Sequence, residues 1–209
     1  TVQYRMKRNI GNLISQVFYD GKIATEVDDK NRTHPIKKFE GKSIVWIDTS
    51  MMNGKDEDRL KGGSFCNYIE NTIIKKLLEC FKNENVIKDL DIGIITGYRG
   101  QKELIRKSVS NGGYDKISKK IDINTLDAFQ GRENDIIIYS TVRTKNSIGF
   151  QKEKERVNVA FSRAKDLLII CGDMDFFYKF DDPDNKFVEI IDYIHEHEDE
   201  CLIISGGEL

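Results

Sequence analysis

Short, continuous apolar runs recur along the chain, separated by longer segments in which apolar residues repeat every three or four positions. Runs of about four to eight residues that are rich in isoleucine and valine are typical of buried strands. They predict strands at 43–48, 91–96, 121–125, 134–141 and 166–171, with a further apolar run at 201–204. Because these runs do not alternate with polar residues, we expect a mostly parallel sheet covered by helices on both faces.

The segments between the runs predict helices. A short helix is expected within residues 1–22, and longer ones at about 67–81, 100–109, 153–164, 173–179 and 186–196. Asn67, followed three residues later by Glu70, forms a capping-box pattern at the start of the second of these helices. Residues 23–42 and 50–63 are polar and have no period, which predicts surface loops. Strands that alternate with helices indicate one doubly wound α/β domain.

Composition sets few limits. The chain has 209 residues, of which 39% are hydrophobic and 33% are charged, and its formal net charge is -2. A chain of this size buries roughly 70% of its unfolded surface, so it needs no disulfide or metal to fold. No basic field covers the whole chain, but a local basic stripe would be enough to bind nucleic acid.

Cysteine spacing and hydropathy indicate a protein of a reducing compartment, which we expect to be cytoplasmic. The 4 cysteines form no C-x-x-C pair, so free thiols are expected and no metal site is predicted. We expect no membrane partner, because no stretch approaches about 20 apolar residues. The chain lacks an initiator methionine, and we therefore expect it to be a piece of a larger protein. Its many Lys, Asn and Ile residues favour an AT-rich bacterial genome.

Two arginines in the predicted helix 153–164 have two interpretations. The core stripe of this helix is Val157, Ala160, Phe161 and Ala164. Arg156 and Arg163 are seven residues apart, so they are expected two turns apart on a neighbouring face. They are either surface arginines that meet Glu153 or Glu155, or they include an arginine finger that stabilises charge on a transferring phosphoryl group.

The segment 129–133 (F-Q-G-R-E) lies between two predicted strands. Gly131 permits a tight turn there. The segment is either an ordinary polar turn or part of a ligand site at the sheet edge where open α/β sheets bind ligands, outside the carboxyl ends of the strands. From the residues alone, both interpretations stay open.

Groups that bind phosphate and magnesium in nucleotide hydrolases are missing from the sequence. Gly41-Lys42-Ser43 is not the end of a phosphate loop, because Ile36 stands where the first glycine is required and Ser43 opens a strand. Asp48 ends a strand but is followed by Thr49, so no residue pair here would hold magnesium and activate water. Any ATP hydrolysis must use such groups from another domain.

Four segments resemble motifs of superfamily 1 helicases, in the branch that includes the nonsense-decay (up-frameshift) helicases. They are Q-Y-R-M at 3–6, followed by F-Y-D-G at 18–21; I-G-I-I-T-G-Y-R-G-Q at 92–101; T-L-D-A-F-Q-G-R-E and the strand after it, from 125; and E-R-V-N-V-A-F-S-R-A-K at 155–165. In the segment 92–101, Gly97 stands where the motif usually has proline. The resemblance runs from residue 1 to about 178 and implies the second RecA-like domain of the motor, a P-loop NTPase-type α/β fold.

The resemblance implies roles at a nucleotide. Arg5 resembles an arginine that reaches the γ-phosphate, with Tyr4 beside it, and Arg163 resembles the arginine finger. Glu133 resembles an acid that hydrogen-bonds the ribose. Gln130 and Arg132 are expected to couple the nucleotide cleft to the strand track, and Arg156 either supports the γ-phosphate site or pairs with a carboxylate.

Candidate contacts to nucleic acid lie near two strand ends. Hydroxyls and amides commonly bind phosphate and sugar, which makes candidates of Thr96, Tyr98, Gln101 and Thr125. The alternative for Tyr98 is a partly buried loop aromatic.

As a whole, the resemblance implies an ATP-dependent DNA or RNA helicase or translocase. ATP with Mg²⁺ would lie in the cleft with a missing N-terminal RecA-like domain of the same protein, which would hold the magnesium. Single-stranded DNA or RNA would be the other partner, and we expect a monomer. Residues 1–22 would enter from the first motor domain, 23–178 would form the RecA-like domain and 179–209 its helical extension. The isolated fragment is expected to be inactive.

Two other classes of function were weighed against a motor. A RecA-like scaffold could bind nucleic acid or a protein partner without catalysis, although such a scaffold has no need of Arg5, Glu133 and Arg163. A nuclease needs clustered carboxylates with a lysine at strand ends, and no such cluster occurs among the predicted strands.

Overall fold

The computed structural model describes residues 1–118, 120–129 and 131–209, which form one α/β domain. In chain order the strands are β1 (Val2–Gln3), β2 (Ala24–Thr25), β3 (Ile44–Asp48), β4 (Asp58–Arg59), β5 (Phe65–Cys66), β6 (Ile92–Thr96), β7 (Ile121–Thr125), β8 (Asn134–Ser140), β9 (Ala164–Gly172) and β10 (Cys201–Ser205). The helices are α1 (Arg8–Tyr19), α2 (Tyr68–Asn83), α3 (Arg99–Asn111), α4 (Tyr114–Ile117), α5 (Lys154–Phe161), α6 (Met174–Lys179) and α7 (Phe187–Glu196).

A six-stranded sheet is the centre of the fold. Its strand order is β10-β3-β9-β8-β6-β7, and every neighbouring pair is parallel. The predicted strands and the parallel sheet are confirmed, and the apolar run at 201–204 is an edge strand rather than an appended segment. Two small ribbons accompany this sheet, a parallel one of β1 and β2 and an antiparallel hairpin of β4 and β5.

Side chains of the strands alternate between two cores, one on each face of the sheet. Ile44 and Trp46 face a core that includes residues of α1, α5, α6 and α7. Val45 and Ile47 face the opposite core, which includes residues of α2 and α3. Adjacent residues of a strand point to opposite faces, so a strand that is apolar throughout is buried on both sides. The predicted α/β class with helices on both faces is confirmed.

Helix α2 begins where the capping pattern predicted. The Asn67 side chain caps it by accepting a hydrogen bond from the Glu70 backbone N–H at 3.0 Å. The reciprocal half of the capping box is missing, because the Asn67 backbone N–H donates to Gln101 instead. Glu70 is thereby free to make contacts with the end of β8, described below.

Three parts of the chain differ from the expected outline. Residues 50–63, predicted as a loop, contain β4 and lead into the hairpin with β5. Helix α1 packs its Ile10 and Leu13 into the core shared with α5 and α7. Residues 1–22 and 179–209 thus pack on the same sheet as the rest of the chain. The division into an entry segment, a RecA-like domain and its C-terminal extension stays a prediction.

Candidate functional site

Arg5, Glu133 and Arg163 converge at one edge of the sheet, and we call them the arginine–glutamate cluster. Glu133 directly precedes β8, and Arg163 directly precedes β9. These strands are parallel neighbours that pair Asn134 with Ala164, so the residues just before them lie at the same edge. The Asn134 backbone N–H donates to the Arg163 carbonyl at 3.1 Å, which ties the two strand entrances together.

Arg5 connects the two strand entrances through its side chain. Its Nε donates to the Glu133 carboxylate at 2.6 Å, and its Nη1 donates to the Ser162 carbonyl at 3.2 Å. Glu133 and Arg5 are about half exposed and therefore accessible to a ligand. Residues that are far apart in the sequence thus form one charged cluster.

Arg163 lacks a full set of partners in this cluster. Its Nε is buried and has no hydrogen-bond acceptor within the described part of the chain. Burial lowers the pKa of Arg163, and the nearby Arg5 guanidinium lowers it further, whereas Glu133 raises it. A guanidinium remains protonated under these conditions. Two adjacent cations, one of them with an unused donor, form a favourable site for an anion with several acceptor oxygens.

The position of this cluster corrects one expectation. Glu133 and Arg163 lie at the amino ends of β8 and β9. The ligand-site interpretation of segment 129–133 expected the other edge, outside the carboxyl ends of the strands, where open α/β sheets bind ligands. That rule describes ligands bound within one sheet domain. Here the charged residues occupy the opposite edge, which leaves the carboxyl ends free for a second surface.

Arg156 and Arg163 do not share a helix face, contrary to the expectation from their spacing. Helix α5 ends at Phe161, so Arg163 lies beyond it. The Nε of Arg156 lies 2.7 Å from the Glu153 carboxylate, and its Nη2 lies 3.7 Å from the Asp127 carboxylate. The surface interpretation, an arginine that meets Glu153, therefore describes the geometry of Arg156.

The remaining predicted nucleotide residues lie around the cluster. Tyr4 is 64% exposed, and its hydroxyl donates to Glu26 at 3.3 Å. Arg132 is exposed and forms an ion pair with Asp122 of β7. Gly131 before it has a φ of 85°, which confirms the predicted tight turn. Gln130 lies outside the described residues.

The second surface is a cavity of about 620 Å³ at the carboxyl ends of β6 and β7, which we call the aromatic cavity. Thr96 and Thr125 pair across these strands. The residues that line the aromatic cavity include Phe65, Tyr98, Arg99, Lys102, Thr125 and Phe150. Three aromatic side chains beside two cations are a combination that nucleic acid favours.

The predicted nucleic-acid residues divide between this cavity and the interior. Thr125 is partly exposed and lines the cavity, as does Tyr98, although only 4% of Tyr98 is exposed. Thr96 is fully buried. Gln101 is also buried, and its amide contacts the backbone of Asn67 and the hydroxyl of Ser140. In this geometry Gln101 holds two elements together below the cavity.

With both surfaces described, the chain can be compared with known proteins. A family model described as "AAA domain" matches residues 1–175. The chain belongs to this family.

Relatives of this AAA domain include helicases of the up-frameshift branch. The chain is 36% identical over 180 residues to the ATP-dependent helicase NAM7 of Saccharomyces cerevisiae, which covers 82% of this chain and 18% of the relative. It is 35% identical over 181 residues to the ATP-dependent helicase upf1 of Schizosaccharomyces pombe, with 82% and 19% covered. The chain thus spans about a fifth of the length of these curated relatives. The resemblance to superfamily 1 helicases of this branch is confirmed.

A solved structure is also similar to this AAA domain. It is the C-terminal domain of a possible DNA helicase from Lactobacillus plantarum, with a TM-score of 0.48, 14% identity and coverage of 82% of this chain and 88% of that one. The two curated relatives above are fungal proteins, so they lend no support to the bacterial origin expected from composition.

A buried ion pair that the sequence did not predict lies beneath the aromatic cavity of this AAA domain. Glu57 and Arg143, whose side chains are 1% and 8% exposed, meet at 3.1 Å. The Arg143 guanidinium also lies 4.2 Å from the centre of the Phe65 ring. The pair therefore links the β4–β5 hairpin to the segment after β8. Nothing in the local sequence around either residue identifies its partner.

A second buried acid, Glu70, was recognised only as part of a helix cap. Its carboxylate accepts hydrogen bonds from the hydroxyls of Ser140 and Thr141 and from the backbone N–H of Val142. Burial raises the pKa of Glu70 to about 7, and Asp173 contributes to the increase. Val142 has a φ of 71°, which is rare for a β-branched residue. Glu70 thus holds the strained turn that leads from β8 to Arg143.

The described part of this AAA domain has neither a candidate metal cluster nor a helix that could span a membrane. Across residues 1–118, 120–129 and 131–209, no group of three or more His, Cys, Asp or Glu side chains is placed to hold a metal ion. In the same ranges, no helix has the length and apolarity that a bilayer span requires. The Asp48 carboxylate already accepts hydrogen bonds from Ser50 and from the Met174 backbone.

Proposed function

We propose that this chain is the C-terminal motor domain of an ATP-dependent nucleic-acid helicase or translocase. The observation that carries the proposal is the arginine–glutamate cluster, in which Arg5, Glu133 and Arg163 meet at one sheet edge. A catalytic role for these residues requires that they reach one nucleotide together, and their convergence satisfies this requirement. The helicase names of the relatives support the same class of activity.

In this proposal, ATP binds in a cleft between the cluster and a first motor domain on the N-terminal side. The first domain supplies the phosphate loop, the catalytic acid and the ligands of Mg²⁺, which neutralises phosphate charge. Arg163 donates its unused N–H groups to the γ-phosphate as charge develops there. Arg5 supplies a second cation, and Glu133 accepts a hydrogen bond from the ribose.

Closure of the cleft would connect hydrolysis to movement. The arginines are useful for catalysis only when the first domain brings the γ-phosphate to them, which is the logic of a finger supplied across an interface. Tyr4 and Arg132 lie at the borders of the cluster, where they would contact the nucleotide or respond to it. Arg156 is held by two carboxylates and is assigned no direct phosphate contact.

Single-stranded DNA or RNA would cross the opposite edge of the sheet. The aromatic cavity there combines Thr125 with Arg99 and Lys102. Backbone phosphates dominate the affinity of such tracks, and cations beside hydroxyls are suitable contacts. Gln101 and Thr96 would support this surface from below rather than contact the strand.

The test is ATP hydrolysis by the full-length protein with and without single-stranded DNA or RNA. Turnover stimulated by either polymer is expected, and the better stimulator identifies the track. The isolated 209-residue chain is the control, and it should hydrolyse no ATP because it has only one side of the site. Absence of turnover by the full-length protein with both polymers would favour the non-catalytic scaffold. Robust hydrolysis by the isolated chain would contradict the two-domain site.

A further inference from the structure

Phe150 is an apolar side chain in an unusual position. It lies in the short 3-10 turn Gly149–Lys152 and is 44% exposed, although it borders the aromatic cavity. Its ring centre lies 5.3 Å from that of Tyr98 at a tilt of 46°. The Arg156 guanidinium lies 5.3 Å from the same ring. Tyr98 and Arg156 therefore contact the ring, while nearly half of the side chain remains accessible.

The support beneath Phe150 is rigid. Tyr98 packs between two aromatic rings, with Phe65 at 5.7 Å edge-on and Phe150 on the other side. A Cβ at position 149 would lie 2.0 Å from the Tyr98 hydroxyl, and Gly149 has a φ of 62°. Only glycine fits this close approach and this backbone conformation. The turn is thus shaped to hold Phe150 against Tyr98.

Positive charge also lines the cavity. Arg99 and Lys102 belong to the first turn of α3, and both line the cavity. The positive end of the helix dipole adds to the positive potential. One carboxylate, Asp127, also lines the cavity, and Arg156 lies 3.7 Å from it and offsets part of its charge. The cavity therefore combines aromatic side chains with two cations.

We propose that the aromatic cavity binds one nucleobase of the single strand, stacked on Phe150, with the adjoining phosphate on Arg99 and Lys102. This inference rests on the proposed function and makes it more specific, since it replaces a track that holds only the backbone by one that also holds a base. The volume of about 620 Å³ is ample for one nucleotide. Because every base has a π face, stacking binds without strict sequence preference.

The experiment measures binding of the 209-residue chain to two fluorescein-labelled probes by anisotropy. One probe is a short oligothymidylate, and the other has the same length and backbone but abasic sites in place of the bases. The wild-type chain should bind the oligothymidylate more tightly. Phe150→Leu should lose about 5- to 150-fold in affinity for the oligothymidylate, the loss expected for one stacked base, and should bind the abasic probe as the wild type does.

Matched variants separate stacking from other effects. Phe150→Tyr keeps the aromatic face and should bind both probes as the wild type does. Arg99→Ala should weaken binding of both probes alike, because it removes a phosphate contact. Tyr178→Leu removes an aromatic residue of α6 that is 49% exposed and lies outside the cavity lining, and it should change neither affinity. Thermal unfolding monitors whether each variant remains folded.

The outcomes distinguish this inference from the proposed function. If Phe150→Leu binds both probes with wild-type affinity, or loses affinity equally for both, the base-binding role is wrong while nucleic-acid binding stands. If the folded wild-type chain binds neither probe, the proposed partner of this surface is wrong as well.

Discussion

Arg5 and Glu133 form an ion pair at 2.6 Å although 128 residues separate them in the chain. The acid proposed to contact the ribose therefore neutralises an arginine proposed to contact the γ-phosphate. A nucleotide that binds here must replace this contact with its own groups. The pair is about half exposed, and exposed pairs contribute only about 0–1 kcal/mol to stability.

Glu133→Gln is expected to leave the fold intact and weaken nucleotide binding. The melting temperature of the chain should change by no more than about 4 °C, the shift that corresponds to about 1 kcal/mol at this size. In the full-length protein the KM for ATP should rise about fivefold, because a neutral amide oxygen replaces the charged acceptor and its hydrogen bond is weaker by about 1 kcal/mol. Asp29→Asn, which removes the exposed partner of Arg8, is a control that should not change the KM. Equal KM values for both variants would contradict the ribose assignment.

Arg163→Ala should abolish turnover in the full-length protein while leaving ATP binding largely intact. Removal of an arginine finger costs about 10³–10⁵ in rate. Arg163→Lys should restore little, because an ammonium lacks the planar fork of donors. Steady-state kcat and equilibrium nucleotide binding are the two measurements.

Arg156→Ala provides the matched comparison on the adjacent helix. Its guanidinium is held by Glu153 and Asp127, outside the arginine–glutamate cluster. With saturating nucleic acid, kcat should therefore stay within about tenfold of wild type, well short of the loss of a finger. If Arg156→Ala and Arg163→Ala lost equal activity, the separation of these two arginines would be wrong.

The buried pair of Glu57 and Arg143 should be important for stability. Removal of one partner leaves an uncompensated buried charge, so Glu57→Ala should lower the free energy of unfolding by about 3–5 kcal/mol. The neighbouring pair of Asp56 and Lys145 is the control, because it is exposed and meets at a similar distance of 3.1 Å. Asp56→Ala should cost no more than about 1 kcal/mol. Urea unfolding measures both, and similar losses for the two variants would show that the buried pair has no special role.

The sequence predicted the strands well because each strand is specified by a short run of neighbouring residues. Ile44 to Ile47 are apolar without interruption, and such a run specifies a strand with two buried faces wherever it lies in the sheet. The same is true of Asn67 as a helix cap, since its partner is three residues away. The four helicase motifs also predicted which residues would meet, because the arrangement of a family accompanies its motifs.

Contacts between distant segments were not predictable in this way. Glu57 lies in a stretch that has no period, and its partner Arg143 follows a strand far along the chain. The order of strands decides which segments meet, and local pattern does not specify that order. Arg163 lies beyond the helix predicted to contain it, which ends at Phe161, and the ligand-site interpretation of segment 129–133 expected the opposite edge of the sheet.

Glu70 predicts an unusual dependence of stability on pH. Its pKa is raised by burial from 4.5 to about 7, so the native state binds more protons than the unfolded state between these values. By linkage, its stabilising contribution is full below about pH 4.5 and is lost as the pH rises through 7, with a total of roughly 3 kcal/mol. Asp166, whose pKa is raised to about 6, acts in the same direction. His34, whose pKa is lowered by burial, acts in the opposite direction.

Comparison with Glu70→Gln isolates the contribution of this one group. The glutamine does not titrate, and its amide oxygen can still accept the Val142 N–H. Between pH 5.5 and 8, the free energy of unfolding of the wild type should fall by roughly 2 kcal/mol relative to the variant, as measured by urea unfolding. Asp166→Asn is the parallel control and should retain the Glu70 share of the slope. If the wild type and Glu70→Gln show parallel pH profiles, Glu70 is charged in the native state across this range. Its three hydrogen-bond donors would then outweigh the cost of burying the charge.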